Sequence, residues 1–377
     1  MDRRIRVLIA YKSMPHYRID FFCRLKEALK KENIDLDIVY GNSKDYNRKD
    51  EMKLEWAIYR PNYIFRVFKR TFYWQPIFDL IRKKDLVIVE QANALIINYI
   101  LIFTRHLLGF KFAFWGHGKD RQSDENTFSA WIKRKLIKKC DYWFAYTSSV
   151  EQYLIKWGYN GNNISVVNNT LDTEKIHNEL LSISLEERAT VMKQLNVNQT
   201  NDIAIYCGSL YSGKRIDFLI ESAELVYQQN NSFRLIIIGS GDDVDFVKQQ
   251  TQQKPWLLYA GPKFGREKAA FFSVAKVFLM PGNVGLAAID SFCYGVPMVI
   301  CELDTHGPEV DYLIGGNNCV FTKNDKIDFA EKVGMIVKDS SQLELLKNGC
   351  RSSLHQFTLE NMVTNFVGGI KNCLQND

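Results

Sequence analysis

An apolar strand followed by an amphipathic helix recurs along almost the whole chain, and this alternation restricts the possible folds more than any other feature. Ile5 to Ala10 is an apolar run, and Phe21, Phe22, Leu25, Ala28 and Leu29 then recur at helical spacing from about Ile19 to Lys31. A second run, Leu36 to Tyr40, closes a βαβ unit. DLVIVE (85–90) and KFAFW (111–115) are continuous apolar runs on either side of a helix at 92–108, as expected of strands buried on both faces of a parallel sheet. YWFAY (142–146) and ISVV (164–167) complete that series. A second series starts at DIAIYCG (202–208), with a helix from Ile216 to Gln229, and continues through RLIIIG (234–239), helix 243–251, LLYAGP (257–262) and helix 265–275. Val277–Met280, Met298–Ile300 and NCVF (318–321) add strands, and helices are expected at 327–337, 340–355 and 358–374. The fold class is therefore α/β, with two helix-covered parallel sheets.

At 377 residues the chain exceeds what one core usually holds. We place the first domain at 1–170, a second at 171–356 and a final helix at 357–377, with a hinge at about 170–200. Net charge is +6, but residues 1–172 carry 30 Lys and Arg against 19 Asp and Glu, while the remainder is net acidic. That asymmetry predicts an anionic surface or ligand for the first half. The basic excess would also suit a nucleic acid, yet no nucleic-acid motif accompanies it. Eight cysteines occur without any C-x-x-C spacing, which predicts reduced core thiols and no zinc site. Met1-Asp2-Arg3-Arg4 leads directly into a strand, so no secretory leader is expected, and the window Ala92–Leu108 is too short and too interrupted to span a bilayer. These features predict a cytoplasmic location.

Two basic stretches stand out in the first half. Residues 54–84 interleave Trp56, Tyr59, Tyr63, Phe65, Phe68, Phe72, Tyr73 and Trp74 with Arg60, Arg66, Lys69 and Arg70. Helix 127–139 sets Phe128, Trp131, Ile132, Leu136 and Ile137 against Lys133, Arg134, Lys135, Lys138 and Lys139. Aromatic residues beside cations suit a lipid headgroup interface or a polyanion; a core segment with a solvated basic edge has the same pattern.

Ligand loops are expected at the carboxyl ends of the strands. Loop 11–18 ends in Pro15, His16, Tyr17 and Arg18, where Arg18 either meets a phosphate or is a surface residue at a helix start. Trp115-Gly116-His117-Gly118 sets a histidine between two glycines at a strand end. After the strand at 202–208 comes GSLYSGKR, with Gly208, Ser209, Lys214 and Arg215; after the next comes Gly239-Ser240-Gly241. The stretch from Met280 to Glu309 has a strand, a loop Gly282-Asn283-Val284-Gly285-Leu286, a helix carrying Asp290, and a stop at Gly295 and Pro297. Backbone amides at such a helix start suit a phosphate or diphosphate, and Asp290 suits sugar hydroxyls, although strand–glycine–helix also serves plain α/β packing. Glu309, in THGPE, either lies near the same ligand or caps the short helix that follows. We find no paired carboxylates, serine triad or metal-ligand cluster.

These residues resemble the motifs of family 4 glycosyltransferases. The family pattern P-S-x-x-E-G-F-G-L, a second glutamate eight positions after the first, then G-x-P is matched by Gly285, Leu286, Gly295 and Pro297. Gly282 stands in place of the first glutamate and Asp290 in place of the second. G-R-L-x-x-x-K-G is matched by Gly208, Leu210 and Lys214, with Ser209 for arginine and Arg215 for glycine. NNTLD (168–172) is similar to the interdomain N-G-x-D. The resemblance implies a GT-B fold: two Rossmann-like domains facing a central cleft, with the last helix crossing back to the first domain. It also implies retaining, metal-independent transfer of a sugar from a nucleotide-sugar donor, with no cofactor. His117 would orient the sugar and Lys214 stabilise the departing diphosphate. Gly208, Ser209, Arg215, Gly239, Gly241, Gly282, Asn283, Val284, Gly285, Leu286, Asp290 and Glu309 would line the donor site. A lipid-linked or oligosaccharide acceptor at the inner face of the cytoplasmic membrane, in cell-surface polysaccharide synthesis, would suit the basic first half. The departures at 209 and 282 leave open an inactive partner subunit, and the fold leaves open another activity such as a sugar-nucleotide epimerase.

Overall fold

The apolar runs become the central strands of two parallel sheets, because only a strand covered on both faces can bury every side chain. The computed structural model describes residues 3–42, 53–67, 70–92, 94–118, 135–136 and 138–375. The chain divides into two compact units, one of residues 1–171 with 359–377 and the other of residues 172–358.

The first unit has strands β1 (Ile5–Tyr11), β2 (Ile34–Tyr40), β3 (Ile58–Tyr59), β4 (Tyr63–Val67), β5 (Arg70–Trp74), β6 (Leu86–Glu90), β7 (Lys111–Gly116), β8 (Tyr142–Ala145) and β9 (Ile164–Val166). Its sheet runs β3-β2-β1-β6-β7-β8-β9, all parallel, while β4 and β5 form a separate antiparallel hairpin. Helices α1 (Ile19–Lys31), α2 (Phe78–Ile81), α3 (Ile96–Leu108) and α4 (Ser148–Lys156) connect the strands.

The first helix keeps its expected bounds. That at 92–108 starts at Ile96, and just before it Leu95 N–H bonds Ala92 O. The aromatic segment 54–84 divides: Tyr73 is buried and bridges to Leu95, whereas Tyr63, Phe65 and Val67 stand exposed on the hairpin. Of the basic helix expected at 127–139, all but residues 135, 136, 138 and 139 lies outside the described residues.

The second unit has α5 (Thr173–Leu181), α6 (Leu185–Gln194), β10 (Asp202–Cys207), α7 (Ile216–Gln229), β11 (Phe233–Ile238), α8 (Val244–Gln253), β12 (Leu257–Gly261), α9 (Gly265–Phe272), β13 (Val277–Met280), α10 (Ala287–Tyr294), β14 (Met298–Cys301), β15 (Cys319–Thr322), α11 (Lys326–Lys338) and α12 (Ser340–Leu354). Its six-stranded parallel sheet runs β12-β11-β10-β13-β14-β15. The stop of α10 is local in origin: it ends at Gly295, whose φ of 61° is a left-handed conformation that suits glycine.

The last helix, α13 (Leu359–Gln375), packs within the first unit. Its Phe366 ring stacks on Phe144 at 4.6 Å and meets Trp115 and Phe21 edge-on at 4.9 and 5.1 Å. Gly369 allows that approach, since a Cβ there would lie 2.7 Å from the Phe144 ring and 2.8 Å from Ser165 Oγ.

Each sheet reverses its winding once, between β1 and β6 in the first and between β10 and β13 in the second. The crevices beyond the carboxyl ends of these strand pairs are where open α/β sheets bind ligands.

Candidate functional site

In the second unit, the loop after β10 (208–215) and the loop after β13 (281–286) flank the reversal. They are tied together: Asn283 N–H bonds Gly213 O at 3.0 Å, and the Lys214 ammonium bonds Asn283 O. Lys214 is largely buried, and that burial pulls its pKa down to about 8 against the opposing pull of Glu309.

Arg215 stands where the motif has glycine, and it takes the conformation that glycine would take, φ 55° and ψ 50°. Its Nη1 donates to Pro281 O at 3.3 Å and its guanidinium lies 4.1 Å from the Phe218 ring centroid. These contacts hold the side chain, while the left-handed backbone costs about 1–2 kcal/mol.

Gly282 has a geometric reason to lack a side chain. A Cβ there would sit 2.5 Å from Lys214 Cα and 2.6 Å from Gly213 O. The 213–214 backbone therefore fills the space a glutamate would need. Glu309, in the 3-10 turn Pro308–Tyr312, places a buried carboxylate near this loop; its Oε2 would lie 4.0 Å from a Cβ on Gly285.

Gly239 and Gly241 also answer to backbone. A Cβ on Gly239 would fall 1.9 Å from Gly208 O, and one on Gly241 2.2 Å from Leu210 O. Gly208 N–H bonds Ile238 O and Leu210 N–H bonds Ser240 O, so the two loops are zipped together; Ser209 O accepts from the Tyr206 hydroxyl at 2.8 Å. Both glycines are thus accounted for by loop packing.

Asp290, which the sequence offers to sugar hydroxyls, lies on α10. It is buried, and its Oδ1 pairs with the Lys268 ammonium of α9 at 2.7 Å. Val284 N–H donates to His306 Nδ1 at 3.1 Å, and His306 Nε2 lies 2.7 Å from Cys301 O, which assigns the proton to Nε2. Gly307 N–H bonds Val284 O at 2.7 Å and Thr305 bonds the Asn283 side chain at 2.6 Å, so residues 305–307 brace the loop at 283–284. Leu286 caps α10, and Gly285 precedes it with space around its α-carbon. His306 and Lys268 carry no signal in the sequence, because each acts through partners distant in the chain.

His117 belongs to the first unit. It follows β7, is exposed, and its ring meets Tyr146 edge-on at 4.4 Å. Gly118 beside it has φ 61°. Arg18 is neither a surface residue nor open to a free phosphate: it is 1% exposed, bonded to Asn169 and 3.8 Å from Met362 Sδ, with its guanidinium 5.0 Å from the Trp115 ring centroid. Glu90, at the end of β6, accepts from Lys12 N–H at 3.1 Å, and burial raises its pKa. Among the described residues no group of three or more His, Cys, Asp or Glu could hold a metal ion, and all eight cysteines are free thiols.

Two family models match the sequence. One, described as Glycosyltransferase Family 4, covers residues 7–175, and the other, Glycosyl transferases group 1, covers residues 201–339. An uncharacterized glycosyltransferase of Methanocaldococcus jannaschii is 21% identical over 182 residues, 47% of this chain. The chain spans 46% of the length of that relative. Among solved structures, Anabaena HepE in complex with UDP is similar with a TM-score of 0.72 at 13% identity, over 97% of this chain and 100% of that one. A glycosyltransferase from Rickettsia africae gives 0.72 at 14% identity, over 100% of each chain. S. aureus TarM gives 0.65 at 12%, over 99% of this chain and 100% of that one. At these identities the structural likeness concerns the fold.

Proposed function

The chain belongs to the family 4-like glycosyltransferases of GT-B fold, and on that premise we propose that it transfers a sugar from a nucleotide-sugar donor to a hydroxyl of a lipid-linked or oligosaccharide acceptor. We read the transfer as retaining, of the hexosyl type, metal-independent, and part of cell-surface polysaccharide synthesis at the inner face of the cytoplasmic membrane. The observation that carries the donor assignment is the meeting of Lys214 and Arg215 with the loop 281–283, which leads into α10 at the reversal of the second sheet. The binding of UDP and of UDP-glucose by Anabaena HepE supports a nucleotide-sugar ligand.

Negative charge accumulates on the diphosphate as the glycosidic bond breaks, and preorganised cations and dipoles stabilise it. The Lys214 ammonium, the Arg215 guanidinium and the amides at 285–287 supply them. Lys214 is held at Asn283 O in the free chain, so a diphosphate would offer it a charged acceptor in place of a neutral one. Glu309 takes the part of the carboxylate missing at 282, toward the donor's sugar hydroxyls. The donor phosphate oxygen takes the acceptor proton, so no strong protein base is needed, and His117 orients the sugar.

A donor-binding subunit without turnover is the second reading, favoured by the closed space at Gly282. Thermal-shift titration with UDP, GDP, ADP and dTDP and their sugars, followed by radiolabelled transfer, separates the two. A nucleotide that prefers the native state raises its melting temperature, by a stabilisation of about 2.7 kcal/mol at a hundredfold excess over Kd. Stabilisation with turnover supports the enzyme, and stabilisation without donor hydrolysis or transfer supports the subunit. No stabilisation by any nucleotide removes the donor assignment.

A further inference from the structure

Helix α3 is apolar on both faces, which is unusual for a helix lying on one side of a sheet. Ile97, Leu101 and Ile102 are buried against the first sheet. On the opposite side Phe103 is 73%, Leu107 86% and Leu108 42% exposed. Phe103 and Leu107 are one turn apart on the same side, where a surface helix ordinarily carries charge.

Among the described residues, the charged groups that contacts place beside this helix are basic except for Asp141. Residues 91–118 contain no Asp or Glu. Arg105 Nη1 bonds Lys139 O, which brings the exposed Lys138 and Lys139 beside the C-terminal half of α3, and His106 is exposed on the helix itself. The acidic group at this end, Asp141, is engaged by Arg105 at 3.3 Å and by Phe112 N–H at 2.8 Å. At 13 residues α3 is too short to cross a bilayer, and no described helix is long and apolar enough to do so.

We propose that the outer face of α3 is the surface by which this chain lies on an anionic membrane. Phe103, Leu107 and Leu108 enter the acyl boundary while Lys138 and Lys139 meet the phosphate headgroups. An apolar stripe rimmed by cations matches both layers of such an interface, whereas an acidic protein partner would leave Leu107 and Phe103 without apolar cover. This refines the membrane-face reading of the proposed function: it adds to the segments that the sequence nominated, 54–84 and 127–139, a specific helix face beside the end of the second. It does not depend on the donor site.

The test is co-flotation of the full chain with phosphatidylglycerol–phosphatidylcholine vesicles and with pure phosphatidylcholine vesicles. The wild type is expected to float with the anionic vesicles, less so as salt is raised. Phe103→Gln with Leu107→Gln should weaken that partitioning about tenfold or more with an unchanged melting temperature, since both side chains are already solvated. Lys138→Glu with Lys139→Glu should remove the preference for anionic lipid. Wild-type flotation by the glutamine variant overturns the assignment of this face. A wild type that ignores anionic vesicles yet is stabilised by a nucleotide overturns the membrane inference and leaves the donor reading standing. Light scattering supplies the remaining outcome: a dimer that the glutamine variant dissociates, with no vesicle binding, makes this face a contact between copies and also overturns the proposal.

Discussion

Lys214 is the residue on which the proposed chemistry turns, and its environment makes two expectations quantitative. Burial favours its neutral form, so in the folded chain it loses its proton near pH 8 instead of near its ordinary 10.5. Nucleotide diphosphate affinity should therefore fall as pH rises through 8, by up to about tenfold per pH unit, and Lys214→Arg should remove that fall because guanidinium stays charged. Calorimetry in buffers of different ionisation enthalpy would detect the proton taken up on binding near pH 8–9; no uptake would mean that Lys214 does not face the phosphates. The stability term has the opposite sense. A lysine with a depressed folded pKa burdens the fold most below pH 8, and that burden is relieved between the folded and unfolded values. Lys214→Ala should abolish transfer while leaving the melting temperature within a few degrees of wild type. Wild-type turnover by a well-folded mutant would exclude it from the site.

Gly282 carries the complementary expectation. Restoring the motif residue by Gly282→Glu should lower stability by about 1–3 kcal/mol, because its Cβ meets the Lys214 backbone and not a mobile side chain. Urea denaturation would measure this, and a neutral or stabilised variant would show that the 213–215 turn yields easily. Arg215 shows how little a motif letter means alone. Only the backbone reveals that this arginine adopts the glycine conformation.

At the scale of elements, α13 is fastened through the aromatic packing of Phe366. That ring touches others from α1, β7 and β8, so Phe366→Ala should cost about 3–5 kcal/mol and expose the apolar face it covers. Loss of cooperativity in thermal unfolding would accompany it; a loss below about 1 kcal/mol, far under the usual cost of emptying a buried phenylalanine site, would mean the helix is held chiefly by its other contacts. Most of the elements were legible, because strand and helix periods differ and the runs are long: α1 and α7 appear at their expected residues. The hairpin β4–β5 was not, since its aromatic and basic residues serve equally as core or surface until pairing assigns them. The outer face of α3 was hidden for a related reason. Its apolar residues satisfy a buried-helix pattern on both sides, and sequence does not say that Phe103 and Leu107 are exposed.

For the whole molecule, the two sheet-bearing parts of the chain carry unequal charge, and the loops proposed to hold the donor at the second reversal all belong to residues 208–309. Hydrogen exchange should therefore show nucleotide-dependent protection at 208–215, 281–286 and 305–309, with residues 53–67 unaffected. Protection confined to the first unit would place the nucleotide elsewhere. By itself the sequence determined the α/β class, the order of the elements and the loops that carry Lys214, Gly285 and Glu309, because hydrophobic period and glycine position act within a few residues. Tertiary structure alone decided that Asp290 is engaged by Lys268, that His306 braces Val284, that the 213–214 backbone closes the space at Gly282, and that Arg18 is buried. Those outcomes depend on which distant segments come within a few ångströms, and no local pattern encodes that distance.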